Sequence, residues 1–354
     1  MNRATFLLLF FLPLNLAAQN LLNKPEHVVY DPVSHCYLVT NYGNGKIVSI
    51  DTLGNQEIII EGIPGCLGIH IIDTTIFITS GHNVHLYGLT SHGFIQTILL
   101  NVNNWVDGMT DDGAGHLYIA ENAGKVHQVD LSTCTDTIIV EGGLPDNPQD
   151  LAYDPDNHRL LLVCWGTNSP VISIDLATYE VSHLVETTSG QYDGIVRDAE
   201  GNLYVTSWLN GGRVYRWEPP YASEPAVFSQ GHAGPAGLAL NEEGELLAVP
   251  NFNSNSISYI SLVPTGIRHD DETLRIQIRE NQLIITTIEP VQLLVHDLKG
   301  RMLLKLSLSV GKTMFPLQEV MGKFPGGLYL ISAVSSRGSC SVKYFLSSPD
   351  RLVE

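Results

Sequence analysis

Asp193-Gly194-Ile195-Val196 opens the stretch that decides the fold, and it leads through a turn at Glu200-Gly201-Asn202 into a second apolar run, Leu203 to Thr206. The opening phrase, a small or acidic residue before apolar ones, occurs six times between Pro25 and Leu262. The intervals are 41, 40, 42, 44 and 43 residues, counted between His27, Gly68, Gly108, Asp150, Gly194 and Gly237. Repeats of about 40–45 residues with short strands are typical of propeller blades. The sequence therefore predicts an all-β chain containing a six-bladed β-propeller.

Each repeat continues with further short strands separated by turn residues. In the fifth repeat these strands are Leu203 to Thr206, Val214 to Trp217 and Ala226 to Phe228. The sixth repeat ends after its third strand, which would leave an exposed sheet edge. We predict that Asn20 to Asn23 supplies the missing outer strand and closes the ring.

The first eighteen residues are typical of a signal peptide. They combine Arg3, an apolar core from Thr5 to Leu16 and the small pair Ala17-Ala18. The apolar core is short for a membrane span, so we predict export with no transmembrane segment. The predicted organisation is a signal peptide (1–18), the propeller (19–263), a linker (264–273) and a small C-terminal β-sandwich (274–354).

Charge is distributed unevenly along the chain. Residues 19–263 carry 7 Lys/Arg against 28 Asp/Glu, whereas residues 264–354 carry 11 against 9. An acidic propeller repels nucleic acid and anionic membranes. It is compatible with cations, with neutral ligands, or simply with solubility outside the cell. The five cysteines show no CxxC spacing, and Cys36 and Cys164 lie in strand-like runs where a buried thiol acts as a small hydrophobe.

The repeats resemble six-bladed propellers of the NHL-repeat and gluconolactonase (senescence marker protein) type. The resemblance covers Pro25 to Leu262 and rests on repeat phase and on phrases such as Asp198-Ala199-Glu200-Gly201-Asn202-Leu203-Tyr204-Val205. Such phrases recur in many propellers, so they are informative about fold and much less so about activity.

Alternating strands also continue beyond residue 273. Val295-His296-Asp297-Leu298-Lys299-Gly300-Arg301, Pro325-Gly326-Gly327-Leu328-Tyr329-Leu330 and Val342-Lys343-Tyr344-Phe345 resemble the C-terminal sorting domain of the Bacteroidetes type IX secretion system. The resemblance implies an address read by that machinery and a final location that is secreted or at the outer cell surface. The family's usual Pro-Asn-Pro is missing between Gly266 and Leu283. The alternative is an appended carbohydrate-binding or fibronectin-like sandwich.

Four acidic residues precede the first strands of their repeats. In a propeller these positions converge at one end of the central channel, so Glu26, Asp107, Asp150 and Asp193 form a candidate site for a hard cation such as Ca²⁺. The alternative is that these carboxylates hydrogen-bond backbone N–H groups. We favour that alternative for Asp107 and Asp150, and keep Glu26 and Asp193 as candidate metal ligands.

The gluconolactonase resemblance implies a metal held by a Glu from the first blade, two Asn and an Asp. Glu26 and Asp193 match, but Val106 and Gln149 stand at the Asn positions, and valine offers no side-chain oxygen. The lactonase reaction, in which the metal polarises the substrate and Asp193 moves the proton, is therefore in doubt.

Aromatic residues gather in the loops of the same face, where they could stack against sugars or other rings, or instead fill the channel. These candidate ligand-binding residues are Tyr42, Trp105, Trp165, Tyr192, Trp208 and Phe252. The leading hypothesis is an exported propeller that binds a small molecule, a glycan or a protein on its channel face. The alternatives are a divergent metal-dependent lactonase-like hydrolase and a scaffold without a small-molecule site. Whether the protein is an enzyme stays open.

Overall fold

The structure is a computed structural model that describes residues 20–145, 147–222, 224–241, 246–262, 274–279, 282–288, 290–297, 302–324, 327–334 and 339–346. The predicted signal peptide and linker lie outside these residues. Within them, no helix has both the length and the apolar character needed to cross a membrane.

Residues 25–261 form six antiparallel sheets whose strands follow chain order. Blade one has β1 (Pro25–Asp31), β2 (Cys36–Asn41), β3 (Lys46–Ile50) and β4 (Gln56–Ile60). Blade two has β5 (Cys66–Ile72), β6 (Thr75–Ser80), β7 (Asn83–Gly88) and β8 (Phe94–Leu99). Blade three has β9 (Val106–Asp111), β10 (His116–Glu121), β11 (Lys125–Asp130) and β12 (Thr135–Glu141). Blade four has β13 (Pro148–Asp154), β14 (Arg159–Cys164), β15 (Val171–Asp175) and β16 (Val181–Val185).

Blade five has β17 (Tyr192–Arg197), β18 (Leu203–Ser207), β19 (Arg213–Trp217) and β20 (Ala226–Gln230), with a 3₁₀ turn at Leu209–Gly211. Blade six has three strands in the described part, β21 (Ala239–Leu240), β22 (Leu246–Asn251) and β23 (Ser256–Ser261). The first strand of each blade contacts that of the next, from β1 to β17, and Gly194 then lies against Gly237 of blade six. The predicted six-bladed propeller is confirmed.

The ring closes at its inner edge. The Gly237 N–H donates to the Glu26 carbonyl at 2.9 Å, and the Val28 N–H donates to the Gly237 carbonyl at 3.2 Å. This parallel bridge joins blade one to blade six beside the channel.

The predicted outer strand at Asn20 to Asn23 is wrong, because these residues form no strand. They bind across the first and last blades instead. The Asn20 side chain donates to the Asn255 carbonyl at 2.8 Å, while Leu22 packs into the apolar layer between those two blades.

Apolar layers between neighbouring blades hold the ring together. Side chains alternate along each strand, so Cys36 and Leu38 of β2 face blade two, whereas Tyr37 and Val39 face blade six. Equivalent layers fill the other boundaries. As predicted, Cys36 and Cys164 are buried in these layers.

The repeated phrase of the sequence is a β-bulge. The pairing of β1, β5, β9, β13 and β17 with their second strands shifts register within it. In three blades a threonine of the second strand accepts the bulge N–H and donates to a backbone carbonyl at the start of the next blade. Thr40 joins His27 to Leu67, Thr79 joins Gly68 to Asp107, and Thr206 joins Gly194 to Ala236.

Glycine in the phrase allows the bulges to approach one another closely. A Cβ on Gly237 would lie 1.9 Å from the His27 ring, and one on Gly108 would lie 2.0 Å from Asp150 Oδ1. The recurring glycine is therefore required by close approach at the axis.

The C-terminal residues form a small sandwich of two sheets. One sheet contains β24 (Leu274–Arg279), β25 (Gln282–Thr287) and β28 (Gly311–Pro316). The other contains β26 (Val291–Asp297), β27 (Met302–Leu308), β29 (Gly327–Val334) and β30 (Ser339–Leu346). Both sheets and a short helix, α1 (Leu317–Met321), share one apolar core. The strand β28 and the helix α1 were not predicted from the sequence, because their short segments lack a sustained hydrophobic pattern.

The first prediction concerns the close contact at the ring closure. Gly237→Ala should lower the melting temperature of the full chain by several degrees, since overpacking costs about 1–3 kcal/mol. Differential scanning fluorimetry measures the change. Gly93→Ala is the matched control, because its Cβ would have no neighbour nearer than Ser91 Oγ at 3.5 Å. Equal melting of the two variants would contradict the role assigned to Gly237.

Candidate functional site

The bulges bring four carboxylates together at one end of the channel. Glu26, Asp107, Asp150 and Asp193 are 8, 7, 3 and 6% exposed. Each lies within electrostatic reach of others, since Glu26 is repelled by Asp193 and Asp107, and Asp107 by Asp193 and Asp150. One bulge per blade thus supplies the acidic cluster expected from the sequence.

Asp150 has a structural role in this cluster. Its Oδ1 accepts the Leu151 N–H at 2.9 Å and its Oδ2 accepts the Ile195 N–H at 3.0 Å. His27 Nε2 also lies 3.5 Å from Oδ2. Asp150 therefore joins blades four and five, as the threonines do elsewhere, and this agrees with the backbone-binding interpretation.

Glu26 and Asp107 are different. Among the described residues, no donor hydrogen-bonds either carboxylate, although both are more than nine-tenths buried. For Asp107 this departs from the backbone-binding role that we favoured. Two buried carboxylates are left without the donors that usually offset desolvation.

Burial and mutual repulsion favour the protonated carboxyls. Burial, followed by repulsion from Asp193, raises the pKa of Glu26 well above 4.5. Burial and the same neighbour raise the pKa of Asp107 well above 3.8. Burial raises the pKa of Asp193 to about 7, against the hydrogen bond from Trp208, whose indole Nε1–H donates to Asp193 Oδ2 at 2.8 Å.

Aromatic side chains occupy one structural position around the channel mouth. In four blades, the residue immediately after the second strand donates its N–H to the residue before the same blade's first strand. In blade six, Phe252 donates to Gly234, which precedes the isolated bridge between Pro235 and Asn251. At this position blades two and three carry Gly81 and Asn122. The four consecutive blades four, five, six and one carry Trp165, Trp208, Phe252 and Tyr42. We call these four rings the aromatic arc.

The rings of the arc touch in sequence around the mouth. Ring centroids are separated by 5.3 Å between Trp165 and Trp208, 5.6 Å between Trp208 and Phe252, and 5.9 Å between Phe252 and Tyr42. The Trp208–Asp193 hydrogen bond joins the arc to the carboxylates below it. The structure therefore places four of the six candidate ligand-binding residues in one surface.

The other two aromatic candidates lie elsewhere. Tyr192 is fully buried between blades four and five, where it packs with Tyr215 and Trp217. Its assignment to the channel face is corrected, because it occupies the first position of β17 and points into the apolar layer. Trp105 is 53% exposed before β9 and has no ring contact with the arc among the described residues.

The two positions at which the gluconolactonase resemblance implies metal-binding Asn residues do not supply a pair of metal ligands. Val106 is buried in the layer between blades two and three, and the Gln149 amide donates to the Asn147 carbonyl at 3.2 Å. No group of three or more His, Cys, Asp or Glu side chains among the described residues is arranged to hold a metal ion. The calcium site at Glu26 and Asp193 stays a prediction.

A buried network that was not predicted from the sequence lies next to Trp105. His127 lies between Glu121, at 3.0 Å, and Asp136, at 2.9 Å. Burial alone would lower the pKa of His127, but these two hydrogen bonds outweigh it and raise the pKa. Glu121 also accepts the N–H groups of Asn103 and Asn104 and so fixes the loop before Trp105. No local sequence pattern indicates this contact, because its three residues are separated along the chain.

The channel also opens at its opposite end. There a cavity of about 440 Å³ is lined by residues farther along the first strands, including Tyr30, His70, Met109 and Arg197. His27 and Asp150 also line this cavity.

No family model matches the chain, and no curated protein matches it. Solved structures do. A gluconolactonase from Xanthomonas campestris is 11% identical with a TM-score of 0.58, over 68% of this chain and 87% of that one. A streptogramin B lyase is 13% identical with a TM-score of 0.53, over 74% and 90%. A chain of a nidogen–laminin complex is 16% identical with a TM-score of 0.53, over 62% and 87%. These likenesses establish the β-propeller fold alone.

The second prediction follows from the raised pKa values. An acid whose pKa is higher in the folded state loses stability as pH rises from its unfolded value through the folded one. Glu26→Gln should therefore raise the melting temperature at pH 8, and this gain should shrink towards pH 4.5, the ordinary Glu value. Thermal melts across this range measure the difference.

Asp150→Asn provides the matched control for Glu26→Gln. An amide cannot accept both of the N–H groups that Asp150 accepts, so this variant should lose about 1–3 kcal/mol at pH 8. Stabilisation by Asp150→Asn would contradict the structural role of the Asp150 carboxylate. Destabilisation by Glu26→Gln would contradict the conclusion that the Glu26 carboxylate lacks hydrogen-bond donors.

Proposed function

We propose that this protein is an exported propeller that binds a ligand at its channel face, with its C-terminal sandwich serving as a secretion or anchoring signal. The observation that carries the binding proposal is the aromatic arc above carboxylates that lack donors. A surface of partly exposed rings next to unsatisfied polar groups is the usual composition of a ligand site. Both features cost stability without a ligand, and binding offsets that cost.

A metal-dependent lactonase-like hydrolase is the second candidate. It is supported by the raised pKa of Asp193, which lies near the value suited to a general base at neutral pH. The residues present fit a metal incompletely, because Val106 offers no oxygen and Gln149 turns its amide to Asn147. For this reason we derive no catalytic step through a metal and rank binding first.

The third prediction separates these functions. A thermal-shift screen of the full chain against small molecules and glycans should give compounds that raise the melting temperature, and Phe252→Leu should abolish those shifts. Phe94→Leu is the control, because Phe94 is 60% exposed on the outer strand of blade two. Compounds that stabilise both variants equally would place the binding site elsewhere.

The same assay tests the hydrolase alternative. We expect CaCl₂ and EDTA to leave the melting temperature unchanged and D-glucono-δ-lactone to be hydrolysed no faster than in buffer. Calcium stabilisation that Asp193→Ala loses, together with lactone hydrolysis, would favour the hydrolase over a binding protein.

The fourth prediction concerns the sandwich. Fusion of residues 264–354 to a periplasmic reporter with a signal peptide should deliver the reporter to the cell surface or medium of a host that has the type IX machinery. The reason is that a sorting signal is recognised independently of the protein to which it is fused. Fractionation of cells and medium provides the measurement, with the reporter lacking residues 264–354 as control. Retention of both reporters in the periplasm would contradict the address.

A further inference from the structure

Two carboxylates of the site, Glu26 and Asp107, have no hydrogen-bond donor, and this indicates which chemical group a ligand would supply. Glu26 and Asp107 are 8 and 7% exposed, and no described N–H or O–H group bonds their oxygens. Of the ion pairs among the described residues, one involves the four clustered carboxylates, between His27 and Asp150. Glu26 and Asp107 therefore have no cationic partner among the described residues, and a cation bound beside them would favour their ionised forms.

The arc already accommodates an ammonium group. Lys24 Nζ lies 5.5 Å from the centroid of the Phe252 ring, a cation–π distance. The Lys24 backbone is fixed for this contact, because its N–H donates to Asn255 Oδ1 at 2.7 Å and its carbonyl accepts the Tyr42 N–H at 3.0 Å. Its φ of 51° is uncommon for a residue with a side chain. An ammonium of the protein itself thus occupies part of the aromatic surface.

Carboxylates and rings meet at Trp208. The Trp208 indole packs against Phe252 and Trp165 while its N–H holds Asp193. A molecule lying on the arc can therefore direct one end towards the carboxylates without leaving the rings. The rings suit an apolar or aromatic body, and the carboxylates suit a cation.

We propose that the channel face binds an organic amine, with its ammonium group directed to Glu26 and Asp107 and its body on the arc of Trp165, Trp208, Phe252 and Tyr42. This inference rests on the proposed ligand-binding function and names the charge class of the ligand. A neutral sugar would leave both buried carboxylates without a positively charged partner. A metal ion would leave the rings without a role.

Three probes of one shape and different charge test this inference. Isothermal titration calorimetry of the full chain at pH 8 compares benzylamine, benzyl alcohol and benzoate. Benzylamine should bind about tenfold or more tightly than benzyl alcohol, and benzoate should be the weakest, because the ring contacts are equal and the charge term differs. Glu26→Gln and Phe252→Leu should each weaken benzylamine binding, while Phe94→Leu should not.

Lys24→Met gives a result that a purely structural role would not produce. Removal of the Lys24 charge removes its repulsion of a bound ammonium, so Lys24→Met should tighten benzylamine binding severalfold and change benzyl alcohol binding much less. Equal affinity for benzylamine and benzyl alcohol, with both lost in Phe252→Leu, would overturn the amine inference and leave the ligand site intact. Binding of none of the probes would also overturn it, and the proposed function would then be judged by its own screen.

Discussion

The close approach of the bulged first strands is the constraint on which the rest of the ring depends. A glycine allows the backbone of one blade to lie against the bulge of the next, as Gly237 does against His27. Threonine hydroxyls then satisfy the freed N–H groups and bond the neighbouring blade. The apolar layers between blades depend on how these sheets are placed, because each layer combines side chains from two sheets.

The same bulges create the site. Where the bulge carries Asp or Glu, the carboxylate is turned towards the axis and is largely buried. Asp150 shows how such a group becomes structural when backbone N–H groups reach it. Glu26 and Asp107 have no comparable donors, so hydrogen bonds do not offset the free energy lost when these carboxylates are desolvated. Stability and recognition are therefore determined by the same backbone feature.

The sequence predicted the ring because propeller repeats depend on local patterns, namely strand alternation, turn residues and a fixed interval. It also predicted that Glu26, Asp107, Asp150 and Asp193 converge, since equivalent positions in a ring must meet. It could not distinguish Asp150 from Asp107, because their difference depends on N–H groups supplied by the next blade. Tyr192 was placed wrongly for a related reason: a shift of one residue at a strand start exchanges a loop for an apolar layer. The buried contact of His127 with Glu121 and Asp136 joins residues without any local signature.

The residue after each second strand contributes a side chain to the channel mouth. In most blades its backbone N–H donates a hydrogen bond to a carbonyl at the start of the same blade. Its side chain takes no part in the glycine and threonine contacts of the inner ring. Gly81 and Asn122 stand at the two places where the aromatic series is interrupted. A substitution at one of these six positions would therefore change the side chains at the mouth in a single blade and leave the backbone of the inner ring in place.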